Sequence, residues 1–331
     1  MRDVEGARAD LLRGQKHFAA GEMFEARVAF EAAIAKDSGF AQAHFWRGRA
    51  CVVTSKEMSY SHAIESFSRA LALDPALVEA HWGMGIAHMG YADADAAGRE
   101  FRAFLAGATD RHAPEMRGEA EHFLGVLARQ QGDLDGALAH FARAQELHPR
   151  FSDTPYERGL ALEKAGRREE AAAAFAAAIA IDADHLPSHF RLSRLLRELG
   201  REEQASRHER IHRILSLLSE DATGRTVRAP ERRAELFGEL AGLDPANVRA
   251  RLEYARALVE LQRVDEAALV LDELVRAAPR FAPGYVARAE LALGMKDERK
   301  ARETVDALAR ALPELAVASL PASLHAFLPK R

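Results

Sequence analysis

The stretch from Gly118 to Phe151, GEAEHFLGVLARQQGDLDGALAHFARAQELHPRF, reads as two amphipathic helices joined by a tight turn and followed by a stop. Gly132 falls where the first helical stretch ends and Pro149 where the second ends. A glycine supplies the left-handed residue that closes a helix, and a proline lacks the N–H that would continue one. Ala137, Phe141 and Ala144 lie three or four residues apart, which puts one large and two small apolar side chains on a single helix face. Gly125 sits inside the first helix, where glycine is costly unless a neighbour must approach the backbone closely.

The same marks recur along the chain. Alanine stands at 26, 63, 97, 137, 171, 205, 267 and 301, and four of the seven intervals are equal, at about 34 residues. Phe30, Phe67, Phe101, Phe141 and Phe175 follow the first five by four residues. Gly14, Gly85, Gly125 and Gly159 precede their alanines by twelve; Gly48 precedes Ala63 by fifteen, three residues being inserted around Lys56 to Tyr60. A second alanine follows at 33, 70, 144 and 178, a proline at 75, 149, 279 and 313, and glycines at 21, 132, 166 and 200 mark the stop of a first helix. A fixed period of this length is the signature of a stacked-hairpin architecture, in which each unit buries its second face only against its neighbours.

These columns resemble the tetratricopeptide repeat, a helix-turn-helix unit of about 34 residues with a small residue and an aromatic in the first helix, then A-x3-F, then proline. The resemblance spans about residues 7 to 315 and implies an all-α fold, a right-handed α-solenoid of stacked hairpins. Six repeats are expected within 1–219, at 7–40, 41–77, 78–111, 118–151, 152–185 and 186–219, with a six-residue insertion at His112 to Arg117. A break at 220–229 follows. Degenerate repeats are expected over 230–315, as an orphan helix at 230–243 and hairpins at 248–281 and 282–315, where Leu271 and Val305 replace the Phe and Ala255 and Ala289 the Gly. The tail 316–331, with Leu320, Leu324, Phe327 and Leu328, is expected to cap the last repeat.

Composition narrows the function. Of 331 residues 68 are Ala, and 46 Lys plus Arg are set against 50 Asp plus Glu for a net charge of -4, which removes the positive field a general nucleic-acid binder needs. One cysteine cannot form an internal disulfide, no 18-residue apolar stretch is present, and Arg2, Asp3, Glu5, Arg8 and Asp10 crowd the N-terminus. A cytoplasmic protein without membrane insertion is the expectation.

By resemblance, the first helices line a concave surface. One repeat position reads Phe45, Trp82, His122, Tyr156 and Phe190; the next reads Arg49, Ile86, Val126, Leu160 and Arg194; a third adds Met89, Arg129 and Arg197. The expectation is an apolar groove flanked by Arg, with Trp82, Tyr156 and Phe190 as anchors and Arg129 and Arg194 selecting charge, receiving an apolar or amphipathic peptide or helix. Packing of these aromatics between helices is the alternative reading. The carboxylate-clamp members of the family use Lys and Asn at these positions, a pairing this chain lacks.

No cofactor is expected, and no catalytic residue. His208-Glu209-Arg210-Ile211-His212 does spell H-E-x-x-H, which on a helix would aim two imidazoles at a zinc ion with Glu209 as base, and a zinc hydrolase is the alternative it raises. Arg210 inside the motif, Leu at 215 and 218, and the want of a third ligand argue for a coincidence of helix spacing. Asp93-Ala94-Asp95 opens like a calcium loop, but Ala97 and Phe104 fall where ligands belong. Cys51 takes a packed position and reads as an inert thiol. Residues 191–233 hold 11 Arg against 7 acidic residues, a solvated basic face. A self-assembling structural protein, with a second copy as partner, is the remaining alternative.

Overall fold

A computed structural model describes residues 3–54, 57–222, 229–313 and 320–327, and among them there is no strand. The chain divides into two compact units, Met1–Ile181 and Asp182–Arg331. In the first, α1 (Val4–Ala19), α2 (Met23–Lys36), α3 (Ala41–Val53), α4 (Glu57–Leu73), α5 (Glu79–Gly90), α6 (Ala94–Gly107), α7 (Pro114–Gln131), α8 (Leu134–Leu147), α9 (Asp153–Lys164) and α10 (Arg168–Ile181) pair as five successive hairpins. The second unit carries α11 (Leu186–Glu198), α12 (Glu202–Ala222), α13 (Pro230–Leu243), α14 (Val248–Glu260), α15 (Val264–Ala277), α16 (Ala282–Gly294) and α17 (Glu298–Ala311), with a 3-10 helix over Ala322–Phe327. There α11 pairs with α12, α14 with α15 and α16 with α17, while α13 packs on α14.

The turns follow one local rule. Gly21, Gly132, Gly166 and Gly200 all have φ between 73° and 87°, and each stands just before a second helix. Ala92, Gln262 and Lys296 hold the same left-handed conformation at the same place in their hairpins without being glycine, so the fold imposes the conformation even where the sequence does not offer it. Asp93, Asp133 and Asp297 then cap the second helices, accepting from Ala96, Gly136 and Lys300 amides at 2.9–3.0 Å. Asp93 is thus a helix cap.

The glycine and phenylalanine columns meet inside each hairpin. A Cβ placed on Gly14, Gly48, Gly85, Gly125 or Gly159 would stand 2.4–2.8 Å from the ring of Phe30, Phe67, Phe101, Phe141 or Phe175, respectively. Each ring is at most 1% exposed. Phe67 also reaches the next hairpin, where a Cβ on Gly83 would be 2.4 Å from it. Small residues on the first helices therefore let the rings seal the stack at interior packing density.

The boundary between the units falls one hairpin before the break expected at 220–229. Helix α12 runs through to Ala222, and its Ile211, Ile214 and Leu215 form a common cluster with Leu236 and Leu240 of α13 and Ala250 of α14. That burial ties the sixth hairpin to the later helices; residues 223–228 lie outside the described ones. In the tail, Leu320 packs with Tyr285, Leu308 and Leu312, and Leu324 with Ala289 and Val305. Leu328 is outside the described residues.

Candidate partner-binding site

Within the first unit the initial helices of consecutive hairpins lie side by side, α3 against α1 and α5, and α7 against α9. Their side chains build one face, and its best-defined feature sits at α1 and α3. Trp46 meets Phe18 edge-on at 5.5 Å and Phe45 at 6.0 Å. The Arg49 guanidinium lies over all three rings, its carbon 4.5 Å from Trp46, 5.2 Å from Phe18 and 5.9 Å from Phe45. Burial among the rings lowers the Arg49 pKa below its ordinary value. No described residue offers it a carboxylate or a carbonyl, so its N–H donors remain available, half-desolvated, to an acceptor arriving from outside.

Further along this face the expected residues divide. Trp82, Ile86 and Met89 are half-buried and pack on a core of Ala97, Phe101, Phe104 and Leu124. Tyr156 lies 5.8 Å from the Phe175 ring, and Leu160 is half-buried. Two residues expected in the groove are interior instead: Val126 is 9% exposed and His122 5%. The His122 ring is walled by Phe151 at 4.9 Å, Phe123 at 5.3 Å and Phe141 at 5.9 Å, and its Nδ1 is hydrogen-bonded to Thr154 Oγ1 at 3.1 Å, across to α9. Desolvation pulls its pKa down to about 4.

The Arg assignments are redistributed for a similar reason. Arg129 donates to Glu157 through Nε at 2.9 Å and Nη2 at 2.7 Å, a half-buried pair that neutralises the cation expected to select charge. Burial raises the Glu157 pKa, with Arg129 opposing it. Arg49 keeps its cation open among the described residues, and nothing in its spacing separates it from Arg129, whose partner carboxylate comes from the next hairpin.

In the second unit Phe190 is exposed at 44%, with Arg194 5.8 Å over its ring and His212 5.4 Å beside it. Arg197 is bound to Glu209 at 2.7 Å and Glu202 at 3.3 Å. The H-E-x-x-H residues are thereby engaged elsewhere. His189 donates through Nε2 to the Ala183 carbonyl at 3.0 Å, so its Nδ1 accepts from His208 Nδ1 at 3.0 Å. Desolvation brings His208 to about 4, and Glu209 turns to Arg197 and Arg213. Among the described residues no three His, Cys, Asp or Glu side chains converge as metal ligands. Much of the basic stretch is neutralised in the same way, Arg210 by Glu239 and Arg233 by Glu260. Cys51 is 3% exposed, and burial raises its pKa. No described helix is long and apolar enough to cross a membrane.

The sequence matches tetratricopeptide-repeat family profiles over residues 156–185 and 222–287. An uncharacterized protein of Methanocaldococcus jannaschii is 36% identical over 66 residues, covering 19% of this chain and 77% of that protein. Among solved structures, PilF of Pseudomonas aeruginosa superposes with a TM-score of 0.53 at 18% identity, over 77% of this chain and 98% of its own. PilW, a type IV pilus biogenesis factor, gives 0.53 at 18% identity over 67% of this chain and 95% of its own. At that identity the two structures speak for the fold alone. The hairpin pairing, the Gly–Phe contacts in every regular unit and the family profiles agree: the chain belongs to the tetratricopeptide-repeat family.

Proposed function

We propose that this protein is a non-enzymatic adaptor that binds a partner peptide or helix on the first-helix face of its N-terminal unit. The observation that carries the reading is Arg49, a cation held among Phe18, Phe45 and Trp46 without an acceptor among the described residues. Desolvating a cation by half costs free energy that no internal carboxylate returns, and a partner carrying an acceptor beside apolar side chains would return it. Val53, one helical turn on from Arg49, is 52% exposed, which suits an amphipathic rather than a purely charged ligand. A cytoplasmic setting belongs to the same reading, because one buried thiol asks for no oxidising compartment.

Affinity capture from the native lysate with wild type and Arg49→Gln as baits, bound proteins being identified by mass spectrometry, tests it. A partner retained by wild type should bind the variant at least about tenfold more weakly, as expected for the loss of one charge-assisted contact. A partner bound equally by both baits, with the variant still helical by circular dichroism, would remove Arg49 from the site.

A further inference from the structure

In five hairpins a second-helix phenylalanine packs against the glycine of its own first helix, and Phe67 also closes the space toward the next first helix. Phe67 shows the arrangement most fully, held between Gly48 of its own hairpin and Gly83 of the next. The three equivalent positions of the α14/α15 hairpin read Ala255, Leu271 and Ala287. Ala255 sets a methyl group where the regular hairpins place a glycine against the ring, and a leucine does not reach as far as a ring. The result is a cleft of about 410 Å³ between α14 and α16 with Leu271 at its floor and Ala255, Val259, Ala287 and Leu291 as its walls. Leu271 itself is 2% exposed, while Val259 is 36% exposed, so the cleft is sealed below and open above.

The charges at its mouth are unevenly satisfied. Arg256 donates to Glu253 at 2.7 Å and Glu260 accepts from Arg233. Glu290 is exposed and has no cation among the described residues. An apolar cavity of this size with one convergent unpaired charge has the composition of a recognition pocket.

We infer that this cleft is a second peptide-binding site, taking one bulky apolar side chain (Leu, Phe or Trp) into the open space above Leu271 and pairing Glu290 with a Lys or Arg next to that anchor. It lies in the C-terminal unit and does not depend on Arg49.

Selection of phage-displayed random 12-residue peptides on the full chain tests the assignment. Wild type should enrich peptides in which a bulky apolar residue neighbours Lys or Arg. Leu271→Phe with Ala255→Gly rebuilds the regular packing and fills the cleft, and should weaken those peptides at least tenfold while leaving the helical circular-dichroism signal intact. Glu290→Arg, an exposed change that leaves the packing alone, should exchange the basic neighbour for an acidic one. Peptides that bind wild type and the filled variant within twofold, or enriched peptides without the apolar anchor, overturn the site. Peptides lost on Arg49→Gln but kept by the filled variant also overturn it, and leave the N-terminal face standing. Failure to enrich any peptide on wild type overturns both.

Discussion

Acid should loosen the N-terminal unit in part through His122. His122 has a pKa of about 4 in the folded protein against 6.5 for a free imidazole, because the ring is buried and its nearest neighbours are apolar rings. Its folded pKa is depressed, so below pH 6.5 the unfolded chain takes up a proton that the folded chain refuses. The stabilising difference is therefore complete above pH 6.5 and is lost as the pH falls toward 4. Each pH unit inside that window costs about 1.4 kcal/mol, giving about 2 kcal/mol at pH 5. Urea unfolding of wild type and His122→Gln at pH 7 and pH 5 isolates the contribution, since the other buried histidines, His44, His189 and His208, are common to both proteins. Gln retains a partner for Thr154 and carries no titrating proton, so wild type should lose about 2 kcal/mol more than the variant between the two pH values. Equal losses, or an NMR titration of the His122 ring centred near 6.5, would refute the burial reasoning.

Two smaller perturbations follow from the repeat geometry. Gly83→Ala places a Cβ 2.4 Å from the buried Phe67 ring and should cost about 1–3 kcal/mol in the same urea assay; a neutral result would mean the stack yields more readily than close packing implies. Ala92→Gly relieves a left-handed alanine at φ 57° and should raise stability by about 1 kcal/mol, seen as an upward shift of the thermal midpoint; a downward shift would count against strain at that turn.

Much of the fold was legible because its contacts are local. Gly125 and Phe141 meet within one hairpin, Gly132 marks its own turn, and Asp133 caps the helix that begins at the next residue. A hairpin that must bury itself against copies of itself writes the same contacts at the same spacing each time, and a period can be read from one chain. The turns at Ala92, Gln262 and Lys296 escaped the glycine column, yet they stand in register because the flanking helices fix them.

The candidate site was less legible. Positions 49, 122 and 129 all point to the groove by spacing, and the structure makes them an open cation, a buried neutral ring and a closed ion pair. The same holds for His208, whose Nδ1 is taken by His189 from the neighbouring helix.

The hairpin period, the small-residue and ring columns and hence the all-α repeat fold are readable in the order of residues, because backbone propensity, turn chemistry and packing within a hairpin depend on residues a few turns apart. Which groups of the candidate site are spent on internal partners, as Arg129 is on Glu157, and which remain open among the described residues, as Arg49 and Glu290 do, emerges with the packing of one helix on the next. Charge pairing and desolvation depend on distances between neighbouring helices, and a difference of one side chain across that gap, such as Leu271 in place of a phenylalanine, separates a filled interior from an open cleft.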